Sequence, residues 1–214
     1  MKHALVIGLW LIPLFGWTQN FHAQLFFGGI RSGYKAAVFT PNPTGLSLGG
    51  RLAVGFDHVQ LGVESEALSL DLTRSGTDLD TIYGIASSYR GLLVRANFSS
   101  VPAYRLGVVT KIGFGQFADT FEQQINGESI SIDYPERIWG GNVGLGLSGR
   151  ILKTFHWEFM YQLGYHKRPA LAVEQWRIEA HQAWEHTFQF GLSINLVVGR
   201  AKRKADAIWD TRPD

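Results

Sequence analysis

Three short motifs in this sequence have residue types and spacings that could do chemistry. The first is residues 144–149, which read Gly-Leu-Gly-Leu-Ser-Gly and match the G-x-G-x-x-G pattern of nucleotide-binding loops. Such a loop needs a strand-to-helix turn, because the bound phosphates sit at the N-terminus of a helix. Here the motif lies inside a run that alternates like a strand. We therefore interpret the match as coincidental and expect no cofactor.

The second motif is residues 181–186, which read His-Gln-Ala-Trp-Glu-His. Zinc enzymes of the inverted type use the spacing His-x-x-Glu-His on a helix, and the spacing here is one residue longer. A pair of loop histidines that binds a metal is the alternative, but we predict no metal site.

The third possibility is acyl chemistry on a lipid, suggested by His166 and Glu185. Acyl hydrolysis or transfer needs a nucleophile, a base and an orienting group close together. No serine stands two residues from His166, since Lys167 and Arg168 follow it. We therefore interpret these side chains as polar residues at an interface and predict no catalytic residues.

The segments that contain these motifs have the sequence pattern of β-strands. In residues 187–198, large apolar side chains alternate with small or polar ones, so that one face of a strand would be apolar and the other polar. Eight segments show this period with varying clarity: 26–39, 46–56, 59–70, 83–98, 104–117, 139–152, 155–165 and 187–198. An even number of strands is what closed bacterial barrels require.

The connections between these segments alternate in length. Short turns fall at 57–58, 99–103 and 153–154, and mostly longer links at 41–45, 73–81, 118–138 and 167–183. Periplasmic turns and longer extracellular loops are typical of outer-membrane barrels. The sequence thus predicts an all-β, eight-stranded, antiparallel up-and-down transmembrane β-barrel, with loop 118–138 as a contact surface for a protein partner.

Alternation alone leaves open a soluble lipocalin-like barrel, whose apolar face points inward. Two features favour the membrane barrel. The polar face is rich in glycine, including Gly113 and Gly144, which suits a narrow lumen. Aromatic residues such as Phe98, Trp139 and Tyr165 bound the apolar face near both rims, like the girdles of membrane barrels. We predict a monomer in the cell outer membrane, in contact with its lipid.

Composition agrees with this interpretation. Only 18% of the residues are charged, 25 are glycine and 13% are aromatic. The net charge of +2 gives no reason to expect a nucleic-acid partner. The chain has no cysteine, which excludes disulfides and thiolate metal sites.

The two ends of the chain differ from the barrel. Lys2, an apolar run at 4–17 and polar residues after it predict a signal peptide over 1–23, cleaved between Ala23 and Gln24. The run is shorter than the roughly 20 residues of a spanning helix, although an uncleaved anchor is the alternative. The barrel would then cover 24–199, and 200–214 would form a basic periplasmic tail that could contact a partner.

Charged residues on the polar face predict a structural network of ion pairs in the lumen. An eight-stranded barrel is filled by its own side chains, and unpaired charges there are costly. A two-residue turn at 57–58 places Arg51 opposite Glu64, and similar reasoning around Thr154 places Arg150 opposite Glu158. The predicted network comprises Arg51, Glu64, Glu66, Arg95, Arg150 and Glu158, with Arg31, Lys35 and Lys111 on the same face.

Over residues 24–199 the sequence resembles the outer-membrane β-barrel domain proteins of Bacteroidetes, which include PorT-like proteins. The resemblance rests on Ala-Gln at the signal end, Phe-Gly-Gly-Ile-Arg-Ser-Gly in the first strand and Val-Glu-Ser-Glu-Ala-Leu in the third. We predict a non-enzymatic structural or interaction role through the extracellular loops. The resemblance implies an alternative, an accessory part of a secretion or assembly machine. A lipid A-modifying acyl enzyme is the other alternative.

Overall fold

The computed structural model describes residues 19–33, 43–55, 58–72, 81–101, 106–125, 128–134, 137–152, 154–173, 176–178 and 180–198. These ranges contain strands β1 (Gln19–Ser32), β2 (Thr44–Gly55), β3 (Val59–Leu72), β4 (Thr81–Val101), β5 (Leu106–Ile125), β6 (Glu128–Asp133), β7 (Ile138–Arg150), β8 (Phe155–Arg168), β9 (Leu171–Val173), β10 (Trp176–Ile178) and β11 (His181–Val198).

Eight of these strands close into one antiparallel barrel. They pair in the order β1, β2, β3, β4, β5, β7, β8 and β11, and β11 pairs back with β1. Strand β6 pairs with the far end of β5, and β9 with β10. The predicted all-β, eight-stranded antiparallel barrel is therefore confirmed. Among the described residues, no helix is long and apolar enough to cross a bilayer.

The outer wall is an apolar belt. Its side chains include Leu25 and Leu92, whose exposed fractions are 75% and 70%. Two aromatic pairs lie where the belt ends on the side of the long connections. The ring centroids of Phe114 and Trp139 are 5.3 Å apart in a stacked arrangement, and those of Tyr165 and Trp184 are 4.6 Å apart. Such a belt with an aromatic girdle is what a barrel wall presents to lipid.

The inner face of β1 differs from the prediction. Phe26 and Ile30 are buried inside, whereas Arg31 is exposed outside, so the placement of Arg31 in the lumen is wrong. The ring of Phe26 lies 4.0 Å from the guanidinium carbon of Arg51, a cation–π contact that requires Phe26 to point inward. Lys35 lies outside the described residues.

Strand β1 also begins earlier than the segment predicted from alternation, and the cleavage bond predicted between Ala23 and Gln24 falls inside it. Ala23 pairs with Leu52 on one side and Ile194 on the other. His22 is buried, with its Nδ1 2.6 Å from Asn195 Oδ1. Residues 1–18 and 199–214 lie outside the described part of the chain, so the signal peptide and the tail stay predictions.

The strand pairing of residues 19–23 favours a cleavage bond before Gln19 over the one between Ala23 and Gln24, and we predict that the mature protein retains these residues. Cleavage after Ala23 would remove paired backbone from both ladders of β1 and would leave Asn195 without its contact to His22. The intact mass of protein purified from outer membranes should correspond to a chain that starts at or before Gln19. A mass that starts at Gln24 would contradict the prediction.

Two of the predicted loops contain strands. Strand β5 runs on to Ile125 and pairs with β6, within 118–138, and 167–183 contains β9 and β10. On β5 the inner row stays buried through Asp119 and Phe121, but the outer row turns polar at Thr120 and Glu122. The predicted end of the fifth strand at residue 117 is too early, because a strand that leaves the membrane loses the apolar outer row that identified it.

An apolar cluster fills the lumen at this extended end. Its members are Ile30, Leu68, Leu70, Leu72, Tyr83, Ile85, Tyr89, Phe117, Phe121, Tyr134, Ile138 and Leu171. Tyr89 needs glycine beside it, since a Cβ at Gly91 would lie 2.3 Å from the Tyr89 hydroxyl. By the general rule that short turns are periplasmic, this cluster lies at the extracellular end.

Candidate functional site

The polar network in the middle of the lumen is centred on Arg51 of β2. Its Nε donates to Glu64 Oε2 at 2.6 Å and its Nη1 to Gln24 Oε1 at 2.9 Å, while Glu158 Oε1 lies 3.7 Å from Nη1. Arg51 and Glu64 face each other in the β2–β3 ladder. The guanidinium thus links β2 to side chains from β1, β3 and β8.

Two further cations complete the network. Lys111 Nζ donates to Glu64 Oε1 at 2.6 Å and also bonds Oε2 of the same carboxylate. Arg95 Nη2 donates to Glu158 Oε2 at 2.5 Å, and its Nη1 to Gln60 Oε1 at 3.0 Å. Sequence reasoning placed Lys111 on the inner face, and the structure makes it one of two basic partners of Glu64.

Glu66 is held by amides. Gln189 Nε2 donates to Glu66 Oε1 at 2.8 Å and Gln162 Nε2 to Oε2 at 3.2 Å. Gln189 and Gln162 also accept hydrogen bonds from Arg51 Nη2. The two glutamines therefore connect Glu66 to the guanidinium, and all of these side chains are buried.

Arg150 is placed differently from the prediction. It pairs with His156, while Glu158 pairs with Ser148, so the predicted opposition of Arg150 and Glu158 is wrong. The backbone N–H groups of Ile151 and Leu152 both donate to Phe155 O, which shifts the turn toward the N-terminus relative to the predicted centre. Arg150 Nε donates to Leu152 O at 3.1 Å in this turn.

A second charged cluster lies nearer the extracellular end. Arg168 Nε donates to Asp119 Oδ2 at 2.5 Å and Nη2 to Glu185 Oε1 at 2.9 Å. Ser87 Oγ donates to the other oxygen of Asp119. His166 stacks on Phe117 at 4.1 Å, with its Nε2 3.7 Å from Asp119 Oδ2. We call Asp119, Arg168, Glu185 and His166 the upper cluster.

Sequence reasoning missed the pairing in the upper cluster. Asp119 and Arg168 stand in segments predicted to be loops. His166 and Glu185 were interpreted as polar residues at an interface, which is wrong, because both are buried inside the barrel. Every second residue of β5 faces inward, so continuing the strand two residues past Phe117 would have placed Asp119 inside the barrel. Nothing in the local pattern pairs it with Arg168, since the two belong to strands that are not neighbours.

The remaining motifs are set in strands. Residues 144–149 lie within β7 and 181–186 within β11. Glu185 is buried inside, whereas His186 is exposed outside with its Nδ1 2.6 Å from Tyr161 Oη. These two side chains point to opposite faces and cannot converge on one ion. The described part of the chain contains no group of three or more acidic or histidine side chains that could hold a metal.

We predict that the barrel conducts little or no ion current. Arg51, Lys111 and Glu158 are buried within the lumen, and the apolar cluster closes it above them. Eight strands leave space for side chains rather than for an aqueous channel. Planar-bilayer recordings of the purified protein should show no stable porin-sized conductance. A steady conductance from the monomer would mean that the lumen is open.

No protein-family model and no curated protein matches this sequence. Among solved structures, the chain is similar to Neisserial surface protein A, with a TM-score of 0.56 and 10% identity over 81% of this chain and 96% of that one. Two other solved structures are less similar. The outer membrane protein AlkL in lipid bilayers has a TM-score of 0.49 and 10% identity, over 84% of this chain and 91% of that one. The outer membrane protein OprG from Pseudomonas aeruginosa has a TM-score of 0.48 and 10% identity, over 84% of this chain and 95% of that one.

At such identities the first similarity shows the fold alone. The closed barrel, its apolar outer belt and its polar lumen define a small outer-membrane β-barrel protein. The predicted location in the cell outer membrane is confirmed.

Proposed function

We propose that this protein is a non-enzymatic interaction protein that contacts a protein partner through its extracellular end. The observation that carries this proposal is the extension of strands beyond the membrane belt. The β4–β5 ladder continues to the pair Thr81 and Ile125, and β6 pairs with β5 from Thr120 to Ile125. We call the ends of β4 and β5 above the girdle, together with β6, the platform.

The platform is supported from inside. Tyr83, Phe121 and Tyr134 pack in the apolar cluster beneath it, and Ile132 of β6 packs against the same cluster. Asp119 on β5 is tied to Arg168 on β8 by an ion pair. A surface held on a packed core loses little conformational entropy on binding, which favours association.

The outer side of the platform is available to a partner. Ile130 of β6 has 41% of its surface exposed, and Ser129 and Ser131 beside it are exposed. Within the described ranges, β6 pairs with β5 along one edge only. An unpaired strand edge can accept an extended segment of another protein as an added strand.

The burial of His166 supports a non-enzymatic role over the lipid A enzyme. Its ring has no exposed surface, and the two acidic side chains near its Nε2 are bound by Arg168. An acyl chain in the surrounding membrane would have to cross the barrel wall to reach it. We expect lipid A from a deletion strain to have the same mass spectrum as that of the wild type.

A photo-reactive amino acid at position 130 tests the platform in intact cells. It should give a discrete adduct with another protein, whereas the same group at Leu92 in the lipid-facing belt should give none. Folded protein without an adduct at 130 would contradict the proposal. An adduct with a secretion component would support the PorT-like alternative, and an adduct of two copies would contradict a monomer. A pull-down with and without 200–214 tests the tail as the contact.

A further inference from the structure

Several basic side chains stand on the outer face near the extracellular edge of the belt. The exposed outward side chains near this edge include four cations: Arg31, Arg90, Arg137 and Lys167. The exposed carboxylates Asp71 and Glu122 lie farther along β3 and β5, beyond Ser65 and Gln116. At this level the headgroups of the outer leaflet meet the protein, so the edge is complementary to anionic lipid.

One ladder row connects this edge with the middle of the belt. Leu25 pairs with Gly50, Gly50 with Ser65, Ser65 with Arg90, Arg90 with Gln116, and Gln116 with Trp139. Because barrel strands tilt by about 35–45°, a row perpendicular to them climbs through the membrane. Its Leu25 end lies among apolar side chains, and its Trp139 end lies at the girdle.

This row forms a groove of about 1570 Å³ on the outer wall. The small residues Gly50 and Ser65 form the floor of the groove. Larger apolar side chains flank it, among them Leu52, Val63, Leu92 and Phe114. The volume exceeds that of a typical drug-sized pocket. Acyl chains fit such an open apolar groove, since its walls are already in contact with the membrane interior.

The polar end of the groove matches a phosphorylated headgroup. Arg90 and Gln116 are directly opposed, so their Cβ atoms lie about 4.5–5.5 Å apart. A guanidinium forms strong charge-assisted hydrogen bonds with phosphate oxygens, and the amide of Gln116 adds a donor. Trp139, held by its stack on Phe114, offers an amphipathic ring at the same level.

We propose that this groove is a binding site for a phosphorylated lipid of the outer leaflet, with a phosphate on Arg90 and Gln116 and acyl chains over Gly50 and Ser65. The site is independent of the platform, because it lies on the lipid-facing wall. If no protein partner were found at position 130, the expected lipid binding in the groove would be unchanged.

Native mass spectrometry of delipidated protein in detergent, titrated with diphosphorylated lipid A, tests this site. We expect one retained lipid on the wild type and roughly tenfold weaker retention by Arg90→Gln, which loses charge-assisted bonds. The matched control is Arg31→Gln, which removes an outward cation outside the groove and should change nothing. Equal loss in both variants would indicate diffuse attraction to cations and overturn the site.

A second pair of variants tests the groove without changing charge. A Cβ at Gly50 meets no atom nearer than 3.4 Å, and one at Gly29 meets nothing within 4 Å, so both outward positions have room for a Cβ. Gly50→Leu should fill the groove and weaken retention, and Gly29→Leu should not. Unchanged retention by Gly50→Leu would overturn the groove. Full retention of dephosphorylated lipid A, or full competition by inorganic phosphate, would overturn the proposed ligand.

Discussion

Replacement of Glu64 by leucine should destabilise the folded barrel by about 3–5 kcal/mol, the usual cost of removing one member of a buried ion pair. Glu64 bonds both Arg51 and Lys111, and all three side chains are buried. The variant leaves two cations in the lumen without this carboxylate. Urea unfolding in detergent micelles, followed by tryptophan fluorescence, measures the loss.

A compensating change should restore part of this stability. Lys111→Met removes the ammonium that bonds both oxygens of Glu64, so the double variant Glu64→Leu/Lys111→Met should be more stable than Glu64→Leu alone. Arg51 retains Gln24 and Glu158 as neighbours. The control is Glu122→Leu, an exposed acid above the belt, with an expected change within about 0.5 kcal/mol. Additive losses in the double variant would show that Glu64 and Lys111 do not interact.

Replacement of Arg168 by methionine should have an effect of similar size on the extracellular half of the barrel. Arg168 is fully buried and bonds Asp119 and Glu185 through different nitrogens of one planar group. Its loss leaves two buried carboxylates without their cation, at a cost of about 3–5 kcal/mol. Arg168→Lys should recover only part of the lost stability, because an ammonium lacks the planar set of donors with which the guanidinium binds both carboxylates.

The pH dependence of this variant has a definite sign. Protonated carboxyl groups carry no charge, so the loss in Arg168→Met should be smaller at pH 5 than at pH 8. The neighbouring Lys167 is exposed on the outer face, and Lys167→Met is the matched control with little expected change. A loss in Arg168→Met that is the same at both pH values would contradict unpaired carboxylates as its cause.

The sequence by itself determined the membrane-spanning part of the fold. Within the belt, lipid on one side and a filled lumen on the other impose opposite chemistry on alternate residues, so the pattern of 187–198 is visible in β11 without any structure. The two-residue turn at 57–58 placed Arg51 opposite Glu64, and the β2–β3 ladder has that pairing. Local geometry is enough for such neighbours.

Tertiary structure alone decided what lies beyond the belt and across the lumen. Above the girdle the outer face of β5 meets water, so Thr120 and Glu122 are polar and the alternation that identifies a strand disappears. Contacts such as Arg168 with Asp119 join side chains from non-neighbouring strands. Their partners depend on how the closed barrel brings distant strands together, and the spacing of residues along the chain does not encode this.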